Sequence, residues 1–242
     1  MLQAPRAVQN RTDRMKRALL LCALVLQPVI RLEAGRPADV ASLKPEAIRE
    51  FEELPPEIQA VLRYALSLTE ENLGYQYGSG DPLQGGMDCS GTVSHVLKHL
   101  GYPSPRQSNE IYLWVEAAGN LKRLRNPKSL EDSAFTALRP GDLLFWEGTY
   151  EVGKRKPPTS HVMIYLGHLK ASGKPVMVGA SSGRYFAGKA RHGVSVFDFV
   201  LPKPGGDSSF VGYGPVPGLA KLPEEGNGNG PLSTILSRLR DP

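Results

Sequence analysis

Cysteine is nearly absent from this chain, with two among 242 residues, Cys22 and Cys89. A framework of disulfides is thereby excluded. Aromatic residues are also few, at 7%, and no basic stripe interleaves with them. The formal charge of +5 is less than it looks, because residues 1–34 hold six cations (Arg6, Arg11, Arg14, Lys16, Arg17, Arg31) against Asp13 and Glu33. Beyond residue 34 there remain 23 of the 29 basic and 22 of the 24 acidic residues, a net of +1. A nucleic-acid-binding surface loses its support. Glycine (26) and proline (21) are plentiful, which favours long loops and punctuated strands over a helical bundle. The length suits one domain with appendages and a real core.

The one long apolar run, Ala18 to Ile30, follows Lys16-Arg17 and precedes Leu32-Glu33-Ala34-Gly35. A charged start, a short apolar stretch and a small residue before polar sequence make a secretory signal, with translation starting at Met15 and cleavage near Ala34. The run is too short to span a bilayer comfortably, so no stable membrane span is expected once it is removed. Cys22 lies inside the run after Leu21, against a lipoprotein signal. The exported protein would then carry a single thiol, Cys89, into a compartment that favours disulfides.

Residues 35–56 read as a linker with a short helix over Pro45 to Glu52, capped by Ser42. Pro55-Pro56 opens a helix from Glu57 to Leu73, with Ile58, Val61, Leu62, Tyr64, Ala65 and Leu68 at three- and four-residue steps and Gly74 ending it. Tyr75 to Gly86 is a Gly-rich loop. Val93, Val96, Leu97 and Leu100 then mark a helix with Cys89 at its start, and Ser108 to Ala118 marks another. From Leu138 the period changes to short strand-like runs at Leu143–Trp146, His161–Leu166, Val176–Ala180 and Val194–Phe199. Helices followed by an antiparallel sheet make an α+β fold. Residues 57–219 form the domain, and 220–242 a flexible, Gly-Asn-rich tail with one helical turn at 233–239.

A helix N-terminus lowers a cysteine's pKa through its exposed N–H groups and can stabilise an oxyanion, so Cys89 is placed for nucleophilic attack and is expected to be partly exposed and reactive. A small buried cysteine is the plain alternative. Of the five histidines, His95 and His99 lie one turn apart past the first turn of that helix, a surface pair or half a metal site without further ligands. His168 follows Gly167 in a turn and looks solvated. His161 heads the apolar strand His161–Leu166, which holds it rigidly, and is the best general base.

Tyr75-Gln76-Tyr77-Gly78, Gly86-Met87-Asp88-Cys89-Ser90-Gly91, Leu138-Arg139-Pro140-Gly141-Asp142-Leu143 and His161-Val162-Met163-Ile164-Tyr165-Leu166-Gly167 together resemble the successive motifs of the NlpC-type cell-wall endopeptidases, in the family's order. Arg106-Gln107-Ser108 resembles its helix entry, and the likeness covers Glu57 to Leu219. It implies a papain-like fold, no metal or other cofactor, and hydrolysis of an amide in peptidoglycan stem peptides, commonly between γ-D-glutamate and a diamino acid. It implies Cys89 as nucleophile, His161 as base, Tyr75 shaping the oxyanion side, and Asp88 and Ser90 lining a pocket for the peptide's free amine. Pro140-Gly141-Asp142 is a structural turn.

The family usually places a third polar residue after the base, where this chain has Gly179. His192, across an expected hairpin from Ala180, is the preferred substitute, with Ser181, Ser182, a backbone carbonyl or water as others. The insertion Glu147 to Ser160 is expected to border the cleft. Two other readings stand beside the exported, monomeric peptidase: a non-catalytic wall-binding module, and an amidase or transferase on the same fold.

Overall fold

The computed structural model of the chain describes residues 37–124 and 127–219. The expected export signal, with its start at Met15, and the expected tail lie outside the described residues.

Helix α1 (Pro56–Leu68) starts at a proline, whose missing N–H is no loss in a first turn. It buries Val61, Leu62, Ala65, Leu66 and Leu68 on one stripe. It stops five residues before the expected Leu73, because the Thr69 hydroxyl turns back onto the Leu66 carbonyl at 2.6 Å. The same hydroxyl meets Ser42 at 2.6 Å, so Ser42 ties down α1 rather than capping a preceding helix. The helix expected over Pro45 to Glu52 is instead two 3-10 turns, Pro45–Ala47 and Phe51–Glu53. Between them Ile48, fully buried and extended, bridges to Leu169. Helices α2 (Cys89–His99) and α3 (Ser108–Ala117) fall close to their expected places.

Ten strands are described: β1 (Gly74–Tyr75), β2 (Gly86–Met87), β3 (Lys122–Arg123), β4 (Leu143–Glu147), β5 (Thr159–His168), β6 (Pro175–Ser181), β7 (Tyr185–Phe186), β8 (Lys189–Ala190), β9 (Gly193–Asp198) and β10 (Ser209–Gly214). Six of them form an antiparallel sheet in the order β3-β10-β4-β5-β6-β9. β1 and β2 pair in parallel, so the ends of the Gly-rich loop are clamped together just before Cys89. β10 was not expected; it inserts between β3 and β4 and so closes the sheet with sequence from the end of the domain.

Side chains alternate across the sheet, as strand geometry requires. Phe145, Val162, Ile164, Val178 and Val196 face a core shared with α1, α2 and α3. Leu144, Trp146, Met163, Tyr165 and Phe197 face a second, aromatic core with Phe199, Phe210 and Tyr213. At the position expected for a third polar residue, Gly179, a Cβ would lie 2.5 Å from the Met163 sulfur, so any side chain there requires Met163 to move.

Asp142 sits buried at the turn into β4, its carboxylate accepting the Arg139 N–H at 3.0 Å. Burial pushes its pKa up to about 7, against a weaker downward pull from Arg139. A carboxyl raised on folding takes up a proton, so its contribution is fully present below the unfolded value near 4 and is lost as pH rises through about 7. Asp142→Asn keeps an acceptor and removes the titration. It is expected to match the parent protein near pH 4 and to exceed it at pH 8 by about 2–4 kcal/mol, several degrees in Tm. Thermal melts at both pH values check this, and equal pH slopes in the two proteins would refute it.

Candidate active site

Asp88 caps α2, and its carboxylate organises the loop around it. Oδ1 accepts from Gly91 N–H (2.6 Å), Arg106 Nη1 (3.0 Å) and the Ser90 hydroxyl (3.3 Å). Oδ2 accepts from Gly78 N–H (2.8 Å) and Arg106 Nη2 (2.9 Å). Gly91 must be glycine, since a Cβ there would collide with the Ser79 carbonyl. Ser90 also accepts from Arg106 Nη1, at 3.1 Å. Asp88 and Ser90 therefore turn their polar atoms inward onto Arg106, and Asp88 also caps the helix. With five donors on it, the Asp88 carboxylate is committed to holding the loop and leaves no evident place for a substrate amine.

That loop sets Cys89 as the first residue of α2, against the edge of β5. The pairing of β5 with β6 begins at Ile164–Val178, which leaves the earlier part of β5 open on that side. The Cys89 sulfur takes the place, 3.9 Å from the Ser160 carbonyl and bonded by the Val162 N–H. These two groups belong to the residues on either side of His161. The His161 ring rises from the face of β5 that carries Trp146, with ring centroids 5.6 Å apart.

The electrostatics correct the expectation of an exposed, acidified thiol. Cys89 is buried, and burial with the nearby Asp88 charge pushes its pKa up to about 11, outweighing the Val162 and Ser90 N–H groups. Burial also drives His161 well below its ordinary value, helped by the Arg184 charge. Thiol and imidazole are thus both neutral at rest, and among the described residues no hydrogen bond joins them. Iodoacetamide is therefore expected to label Cys89 more slowly than a small-molecule thiol at pH 7.5, with the rate climbing above pH 9. A labelling curve with its inflection below pH 7 would overturn this resting state.

One hydrogen-bond partner of His161 is a residue that sequence reasoning missed. Arg184, in the loop between β6 and β7, donates from Nε to His161 Nε2 at 3.3 Å and lies over the Trp146 ring at 4.3 Å. Ser181, like Arg184, lines the cleft beside His161. His192 is buried before β9, its ring 6.4 Å from that of Tyr75. The β6–β9 register pairs Ala180 with Val194 and Ser181 with Gly193, so His192 lies two residues short of the place across from Ala180, and the hydrogen bond to His161 Nε2 comes from Arg184.

The cleft beside His161 measures about 730 Å³ and is walled by Tyr75, Tyr77, Thr149, Tyr150 and Arg184 among others. Thr149 and Tyr150 belong to the insertion 147–160, which does border it. Arg155 of the same insertion donates to Tyr150 (3.2 Å) and reaches Tyr77 (3.5 Å), tying the insertion to the Gly-rich loop. Burial holds Tyr75 far above the ordinary phenol range, so it keeps its proton and remains a donor.

The remaining histidines have structural partners. His95 Nε2 meets the Tyr64 hydroxyl at 2.9 Å, and His99 stacks on the Tyr64 ring at 3.8 Å. His168 is not simply solvated, since its Nδ1 lies 2.6 Å from the Glu50 carboxylate. No cluster of three or more metal-ligating side chains occurs among the described residues.

The NlpC/P60 family profile matches residues 72–194, just over half of the chain, and spans both Cys89 and His161. The chain belongs to the NlpC/P60 family. Its fold is the papain-like α+β arrangement, and the family is in general one of cysteine peptidases acting on peptidoglycan. A crystal structure of a protein described as similar to lipoprotein, NLP/P60 family, from Staphylococcus aureus subsp. aureus Mu50 is 19% identical, with a TM-score of 0.42. The match covers 74% of this chain and 44% of that one, so this NlpC/P60 member spans under half the length of that protein. Comparison with curated proteins finds no match. No helix among the described residues is long and apolar enough to cross a membrane.

Proposed function

We propose that this protein is an exported cysteine peptidase that hydrolyses an amide of peptidoglycan stem peptides, the γ-D-glutamyl–diamino acid bond being the leading candidate. The observation that carries the reading is the Cys89 sulfur at the start of α2, against the backbone on both sides of His161, a residue that lines an open cleft. Residues 57–219 form the peptidase domain and residues 1–34 the export signal.

In this mechanism the thiol sulfur attacks the substrate carbonyl while His161 takes the thiol proton. The oxyanion is met by the α2 N-terminus and the Tyr75 hydroxyl, which stays protonated. His161 then gives its proton to the leaving amine, and water, activated by the same imidazole, hydrolyses the thioester. Because both groups rest neutral, proton transfer accompanies attack rather than preceding it.

A second reading, a wall-binding module using the same cleft, is favoured by the thiol pKa of about 11 and by the Arg184 contact with the base. Digestion of purified muropeptides, followed by mass spectrometry, separates the two. The peptidase reading expects two fragments whose masses sum to substrate plus water, and none with Cys89→Ala. Binding without any new fragment would establish the module.

A further inference from the structure

The Arg184 guanidinium is a half-buried cation without a carboxylate partner among the described ion pairs. Desolvation pulls its pKa down to about 10, and the opposing influence is Cys89, not an acid. Its Nε is engaged by His161 and its plane is held by Trp146, while the residue forms part of the cleft wall. A guanidinium offers five N–H donors and no acceptor, in a fork whose geometry matches a carboxylate.

The contact with His161 has a chemical consequence. Neutral imidazole has one lone pair available to accept a proton, and a guanidinium only donates. Nε2 is therefore the acceptor nitrogen, and the ring carries its proton on Nδ1. The lone pair that a general base needs is occupied by Arg184 at rest.

We propose that Arg184 is the carboxylate receptor of this cleft: a substrate with a free carboxylate beside the bond to be cut pairs with the guanidinium, which releases the His161 lone pair. Asp207 on the same wall adds a negative charge and so disfavours a dianion, leaving a single carboxylate as the fitting group. In a γ-D-glutamyl peptide that group is the α-carboxylate. The proposal rests on the reading of Cys89 and His161 as the working pair, and it makes the protein discriminate between peptides carrying D-glutamate and those carrying its amide.

The test uses two synthetic stem peptides, L-alanyl-γ-D-glutamyl-L-lysyl-D-alanine and its D-isoglutaminyl counterpart, in which the residue after the scissile bond carries no free carboxylate, with the full chain. The parent protein is expected to favour the acid by about 100-fold in kcat/KM. Arg184→Met is expected to bring the ratio close to one, and Arg184→Lys, a point charge without the fork, to keep part of it. No preference in the parent, or an undiminished preference in Arg184→Met, overturns the proposal. If neither peptide is cut, the peptidase reading fails, and the receptor is judged separately by nitrogen-15 NMR of the His161 ring in Cys89→Ala. There the acid peptide, and not the amide, should shift Nε2. A response to both peptides alike, or to neither, overturns it.

Discussion

Cys89→Ala and His161→Gln are each expected to lower kcat on muropeptides by about 10³-fold or more, and the double substitution to lower it little further. The non-additivity follows from the geometry. The sulfur and the imidazole act in one proton transfer, so losing either removes the step. Both are neutral at rest, with the thiol near 11, so the thiol gains little nucleophilicity until the base accepts its proton. Thermal melts of the variants separate chemistry from folding, since Cys89→Ala deletes one buried atom at the start of α2. Full activity in His161→Gln would remove the imidazole from the mechanism and, with it, the role given to Arg184.

Asp88→Ala is expected to destabilise the domain by about 3–5 kcal/mol, comparable with half the stability of a typical domain. The carboxylate is buried and receives five donors, and its loss strands the Arg106 charge and the Gly78 and Gly91 N–H groups. Arg106→Ala should be similarly harmful, and the double variant less harmful than the two added, because both delete one network. Urea denaturation of the three variants measures this. A loss below about 1 kcal/mol for Asp88→Ala would mean that water replaces the lost acceptor.

The periodic stretches were readable because their burial is local to the chain. Val93, Val96 and Leu97 repeat at helical steps, and Val162, Ile164 and Leu166 alternate as a strand, so α2 and β5 could be placed with Cys89 and His161 at their starts. What depended on distant partners was not readable. β10 contains Gly212 and Gly214, which argue against a strand interior. Yet a Cβ at Gly212 would come within 2.5 Å of the Lys122 carbonyl, and one at Gly214 would collide with Asn120. The glycines are there because β3 and its approach lie so close. Cys89 was correctly set at a helix N-terminus, but its acidity depends on burial against β5, some seventy residues away, and that reversed the expected shift. Arg184 stands alone between Gly183 and Tyr185 in a loop, with no periodicity to mark it. The one sequence-level signal was the missing side chain at Gly179, which said that His161 must find its partner elsewhere.

The stack at the cleft floor also makes the molecule its own optical instrument. The chain has two tryptophans, Trp114 on α3 and Trp146 beneath Arg184. Indole emission responds to a cation over its face and to a neighbouring imidazole, and Trp146 has both within 6 Å. With Trp114 replaced by phenylalanine, the remaining fluorescence would come from the residue on which Arg184 rests. The coming and going of the guanidinium could then be followed in real time, without a dye, in the full-length protein.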